Sequence, residues 1–115
     1  MFAVAALMVS FPSPSIAAFK SGNQLVDDCT ADPRSSTHFQ SDAYCIGFVV
    51  GVVDDETMIG DILKRPIICL RPSVTAGQLR DVVIAYLQRH PEKRDYTAAS
   101  LVMSAVLDAF PCPAK

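Results

Sequence analysis

Asp42-Ala43-Tyr44-Cys45-Ile46-Gly47-Phe48-Val49-Val50-Gly51-Val52-Val53-Asp54-Asp55-Glu56 holds the longest apolar run beyond the N-terminus, with no polar side chain from Cys45 to Val53. A helix that is apolar all round needs cover all round, so this stretch predicts a central helix with the other elements packed about it. The run is about half of the ~20 residues that a bilayer crossing requires, which favours a buried helix over a membrane span. Gly47 and Gly51 stand four apart on one helical face, where the missing side chains let a neighbouring backbone come close.

Around this stretch the chain has 115 residues, enough for one domain with one core. Met1 to Ala18 carries no charged side chain, and Phe2 to Phe11 is an apolar segment of signal-peptide length. Pro12-Ser13-Pro14-Ser15-Ile16-Ala17-Ala18 follows, with small residues suited to cleavage before Phe19 or Ala18. Residues 1–18 are therefore expected to be a secretory signal and residues 19–115 the functional domain. No Lys or Arg precedes the apolar segment, a departure that a start codon placed too far downstream explains. All 10 basic and 12 acidic residues lie after Ala18, and the net charge of −2 is spread without a long run of one sign. That balance argues against nucleic acid or an anionic membrane as the main partner, and no membrane insertion is expected once the signal is removed.

Four cysteines in a short exported chain are most simply two disulfides. Cys29, Cys45, Cys69 and Cys112 contain neither a Cys-x-x-Cys pair nor a zinc-knuckle spacing, so neither a metal nor a cofactor is expected. Ser21 and Gln24 have the spacing of a capping box, and Leu25, Val26 and Cys29 then fall on one side of a short first helix. Thr30 to Ser41 has no period and reads as a loop. Ser41 or Asp42 is the expected cap of the central helix, which ends near Gly60. Asp61 to Pro72 is then a connector with at most one further helical turn around Ile62 and Leu63. Thr75 and Gln78 form a second capping box, Val74 and Leu79 a hydrophobic staple, and Leu79, Val82, Val83, Tyr86 and Leu87 recur at helical spacing until Arg89-His90-Pro91 stops the helix. Thr97 is the expected cap of a fourth helix, with Tyr96 placed to pack on Leu101 and a stripe through Ala98, Leu101, Val102, Ala105, Val106 and Ala109. The fold class is thus all-α, a compact four-helix disulfide-stabilised domain. Antiparallel neighbours favour the pairs Cys29–Cys45 and Cys69–Cys112, with Cys29–Cys112 and Cys45–Cys69 as the alternative.

Little here resembles catalytic machinery. The cysteines are assigned to disulfides, no serine stands in a Gly-x-Ser-x-Gly turn, and His90 is placed to act as a positive charge at a helix end. Gly47 to Gly51 is no phosphate loop, because these glycines interrupt an apolar helix. The one polar constellation is Asp54-Asp55-Glu56. Its plain reading is the solvated end of the central helix. Acids at a helix C-terminus oppose the dipole by a few tenths of a kcal/mol each, and that mild cost points to a second reading, contact with a basic partner surface. The spacing lacks the alternation and glycine of a calcium loop.

Ser21-Gly22-Asn23-Gln24-Leu25 leading to Cys29, Ala43-Tyr44-Cys45-Ile46-Gly47-Phe48 with Gly51-Val52 and Asp54, and Val74-Thr75-Ala76-Gly77-Gln78-Leu79 follow one another in a familiar order. Together with Cys69, Val82-Val83, Tyr86-Leu87, His90-Pro91-Glu92, Ala98-Ala99-Ser100-Leu101-Val102, Ala105 and Phe110-Pro111-Cys112, they make the chain resemble the Rap/Tai family of periplasmic immunity proteins. These protect bacteria from amidase effectors of type VI secretion. The chain departs from the family pattern after Cys69, where the proline is displaced by one and Ser73 replaces a glycine. The resemblance implies a helical, disulfide-bonded, often dimeric protein of the periplasm that binds a peptidoglycan amidase and obstructs its cleft, without catalysis of its own. The expected contact stretches are Asp54 to Gly60, led by Asp54, Asp55 and Glu56, and the Arg71-Pro72-Ser73 turn, led by Arg71 and Ser73. Two other classes compete: a small periplasmic acid-stress chaperone, and an envelope protein with a structural role.

Overall fold

Two of the four helices begin at a side-chain cap that the sequence supplies, Ser21 for the first and Thr75 for the third. In the computed structural model, which describes residues 19–114, α1 spans Gly22–Cys29, α2 His38–Leu63, α3 Ala76–Arg89 and α4 Ala98–Ala109, with one 3-10 turn at Pro91–Lys93. The expected export signal at residues 1–18 lies outside the described residues. The described residues contain no β-strand, and the fold is the four-helix all-α domain that the sequence predicts. At α1 the capping box is reciprocal: Gln24 N–H donates to Ser21 Oγ at 3.3 Å, and Ser21 N–H donates to Gln24 Oε1 at 2.9 Å. At α3 only half of the box forms, Gln78 N–H donating to Thr75 Oγ1 at 3.1 Å. At α4 Thr97 holds the cap position, but its hydroxyl bonds the Ser100 hydroxyl at 2.7 Å instead of a backbone amide. The first amide of α4, from Ala98, donates instead to Lys20 O at 2.7 Å. In return, the amides of Gly22 and Asn23 donate to Tyr96 O and Arg94 O at 3.0 and 2.8 Å, so the starts of α1 and α4 complete each other.

The core is built from Leu25 of α1, Cys45, Val49 and Val53 of α2, Leu79, Val83, Tyr86 and Leu87 of α3, and Ala98, Leu101, Val102, Ala105 and Val106 of α4, closed below by Phe110. Val74 packs against it from outside, next to the buried Leu79. Cys29 is bonded to Cys45 and Cys69 to Cys112, with Cα atoms 5.1 and 5.0 Å apart. Arg80 bonds Asp42 at 3.1 Å and so ties α3 to the first turns of α2. The Asp81 carboxylate beside it, then Asp42, raises the guanidinium pKa still further.

Three expectations need correction. First, α2 starts at His38, before the anticipated caps Ser41 and Asp42. Local side-chain bonds use up the preceding loop: Asp32 accepts from the Arg34 amide at 2.9 Å, Ser35 Oγ from the Thr37 amide at 3.3 Å, and His38 Nδ1 meets Ala31 O at 3.1 Å. Second, α2 does not stop at Gly60 but runs on to Leu63. It closes through Lys64 in the left-handed region (φ 57°), with Arg65 N–H donating to Gly60 O at 3.0 Å. A Cβ on Gly60 would lie 3.0 Å from Arg65 O, so this glycine admits the returning chain rather than breaking the helix. Third, Ala109 and Tyr96 are exposed, and the buried stripe of α4 ends at Val106.

Gly22 is the fold's tightest glycine, since a Cβ there would overlap Leu101 Cδ1 and stand 2.9 Å from Arg94 O. Gly22→Ala is expected to lose about 1–3 kcal/mol by overpacking, and joint replacement of Cys29 and Cys45 by serine about 2–4 kcal/mol. Urea unfolding followed by circular dichroism measures both.

Candidate functional site

Residues two apart on a helix point about 200° from one another at 3.6 residues per turn. Once Cys45, Val49 and Val53 face the core, Gly47 and Gly51 must therefore face away from it. The structure places both at the surface, and a Cβ built on either meets nothing within 4 Å. The expectation that α2 is covered on every side, with a neighbouring backbone against the two glycines, is thus not met among the described residues. Instead Gly47, Phe48, Gly51, Val52, Asp55 and Glu56 form one wall of an open groove of about 620 Å³, with Ala99, Ser100 and Met103 of α4 as the other. Phe48 and Ala99 also border a second hollow of about 300 Å³, completed by Phe19, Lys20 and Thr97, so the apolar channel continues towards the start of the described chain.

Asp55, exposed, and Glu56, half-buried, line the end of this groove, and the exposed Asp54 stands beside it without lining it. Because α2 continues to Leu63, they lie inside the helix and not at its C-terminus, and the opposition to the helix dipole expected from the sequence does not arise. Among the described residues none of the three forms an ion pair. Arg71 and Ser73 belong to a different surface. Arg71 sits in the connector between α2 and α3, its guanidinium carbon 5.4 Å from the Phe110 ring centroid, and its carbonyl accepts from the Val74 amide at 3.1 Å. Neither residue lines the groove.

Sequence reasoning also missed the projecting end of α2. Met58, Ile62 and Leu63 are 53%, 68% and 52% exposed and are followed by Lys64 and Arg65. Their i, i+4 spacing was visible, but placing the helix end at Gly60 hid it. The remaining candidates for chemistry have structural roles: His90 Nδ1 lies 3.0 Å from Glu92 Oε1 and its ring 4.5 Å from that of Tyr86. The chain has no free cysteine, and the described residues contain no His, Cys, Asp and Glu grouping able to hold a metal. No helix among them is long and apolar enough to cross a membrane.

These features define a small, disulfide-pinned helical protein with an open apolar groove and an acidic rim. The chain belongs to the family of Rap1a immunity proteins, whose family model matches residues 21–112, a span that includes all four helices and both disulfides. It is accordingly an immunity protein directed at a secreted protein effector. No curated protein and no solved structure matches the chain.

Since none of the described residues occupies the space over Gly47 and Gly51, replacing either by alanine is expected to stabilise the protein by about 0.5–1 kcal/mol through helix propensity alone. Thermal and urea unfolding of Gly47→Ala and Gly51→Ala check this, and a loss of stability would show that the glycines serve the fold.

Proposed function

We propose that the chain is exported to the periplasm through residues 1–18 and there inhibits a peptidoglycan amidase delivered by type VI secretion. The observation that carries this reading is the family match over residues 21–112. Steric obstruction is the mechanism: a preorganised helical body loses little entropy on binding, so contact energy appears as affinity. The stretch from Asp54 to Gly60 and, on a separate surface, the turn with Arg71 and Ser73 are the parts proposed to meet the effector. The protein catalyses nothing in this scheme. It acts as an enzyme inhibitor, with or without a second copy of itself.

The acid-stress chaperone reading lacks a trigger. It needs carboxylates whose protonation opens the core, yet no charged side chain among the described residues is buried. Asp32, bonded by the Arg34 amide and side chain, and Glu92, beside His90, are held below the ordinary carboxylate range. A lowered folded value gives stability that is present above the unfolded pKa and lost as pH falls through the folded one. Both groups are exposed, so the loss is small and confined to strong acid.

Purified protein is expected to co-elute with its cognate secreted amidase and to abolish peptidoglycan hydrolysis at one equivalent per active site. An amidase encoded beside it and unaffected at that ratio would contradict the reading. Helix content and cooperative unfolding should persist from pH 7 to about pH 5, with losses only below about pH 4. Exposure of apolar surface at pH 5, read by dye binding, would favour the chaperone reading instead.

A further inference from the structure

Gly47 and Gly51 present a problem that the fold does not solve. Each weakens α2 relative to alanine, and neither is needed to admit any atom of the described residues. They strip the floor of an open groove down to backbone, beside the half-exposed Phe48. Groove and acids adjoin: Asp55 and Glu56 are lining residues, and they have no cation of their own among the described residues. Bare backbone four residues apart allows a crossing helix to come close, and apolar walls with an anionic end select what such a helix carries.

We infer that this groove between α2 and α4 is the effector-docking surface, and that it receives a helix of the effector bearing an apolar ridge flanked by Lys or Arg. The inference rests on the immunity reading and adds to it the surface used and the chemistry recognised.

Charge separates this occupant from a second copy of the chain. Two α2 helices packed in parallel would set Asp54, Asp55 and Glu56 against their equivalents. Packed antiparallel about the two glycines, they would set those acids against Tyr44, Ala43 and Asp42. The cation near Tyr44 is Lys20, whose ammonium lies 4.2 Å from the ring centroid and is already paired with Asp28. Asp42, which would oppose Glu56, is itself an acid and is held by Arg80. Self-association therefore leaves the acids uncompensated, whereas a foreign cationic helix neutralises them. Such rim charges act chiefly on encounter rate and its salt dependence, while a filled groove removes the contact itself.

The test is binding of the full chain to the purified amidase that it inhibits, measured by calorimetry and stopped flow. Gly51→Trp, which has free space in this chain and fills the groove, is expected to keep its helix content and weaken binding at least about 30-fold. Asp55→Lys with Glu56→Lys is expected to weaken it about tenfold, mainly by slower association, and to flatten the salt dependence. Gly51→Ala, which adds one methyl group, gives the same answer on a smaller scale if the tryptophan variant misfolds. A folded Gly51→Trp that binds as tightly as the unmodified chain overturns the inference. So does a Gly51→Trp that turns a dimer into monomers while amidase binding persists, because the groove would then belong to a second copy. If the unmodified chain binds no amidase, the immunity reading itself falls and takes this inference with it.

Discussion

The bond between Cys29 and Cys45 fixes which side of α2 faces inward. Cys45 is fully buried, and its partner ends α1, so the link holds the second turn of α2 against the rest of the bundle. Helical geometry does the rest: Val49 and Val53 follow Cys45 into the core at intervals of four, and Gly47 and Gly51 are carried to the far side. Had the inward face been set by hydrophobicity alone, the run from Cys45 to Val53 would have offered no preference, since every face of it is apolar. The covalent link breaks that tie, and the groove follows from it.

The same reasoning explains what the sequence disclosed. Ser21 with Gln24 and Thr75 with Gln78 mark real helix starts because capping is local chemistry, written within four residues. The stop at His90-Pro91 is equally local, and Arg94 adds to it by donating to Leu87 O at 2.7 Å near the end of α3. The limits of α2 were less legible. Its start depends on a chain of side-chain bonds from Ala31 to His38 with no periodicity, and its end on a left-handed lysine where glycine is the usual signal. Of the expected contact residues, Asp55 and Glu56 line the groove and Asp54 does not, whereas Arg71 and Ser73 are carried away with the Cys69–Cys112 end of the bundle. The glycine spacing was plain in the sequence; its direction was not, because direction depends on which face the disulfide turns inward.

Both disulfides also bear on what kind of binder this is. One pins the start of α2 to α1, the other pins the connector before α3 to the tail after α4, and between them the reciprocal bonds of Lys20, Tyr96 and Arg94 lock the starts of α1 and α4. Little is left to order when a partner arrives, which suits an immunity protein that must bind its effector tightly. One wall of the open groove, the acidic rim and the exposed tip of α2 lie on one helix, and α4 supplies the groove's other wall.

Hydrogen–deuterium exchange of the full chain, with and without the proposed amidase effector, tests the central claim that the outward face of α2 meets the effector. The account predicts that peptides covering Gly47 to Glu56 and Ala99 to Met103 gain protection together in the complex, while those covering the Thr30–Thr37 loop do not change. Protection confined to α3 or to that loop, with α2 exchanging as it does in the free protein, would contradict it.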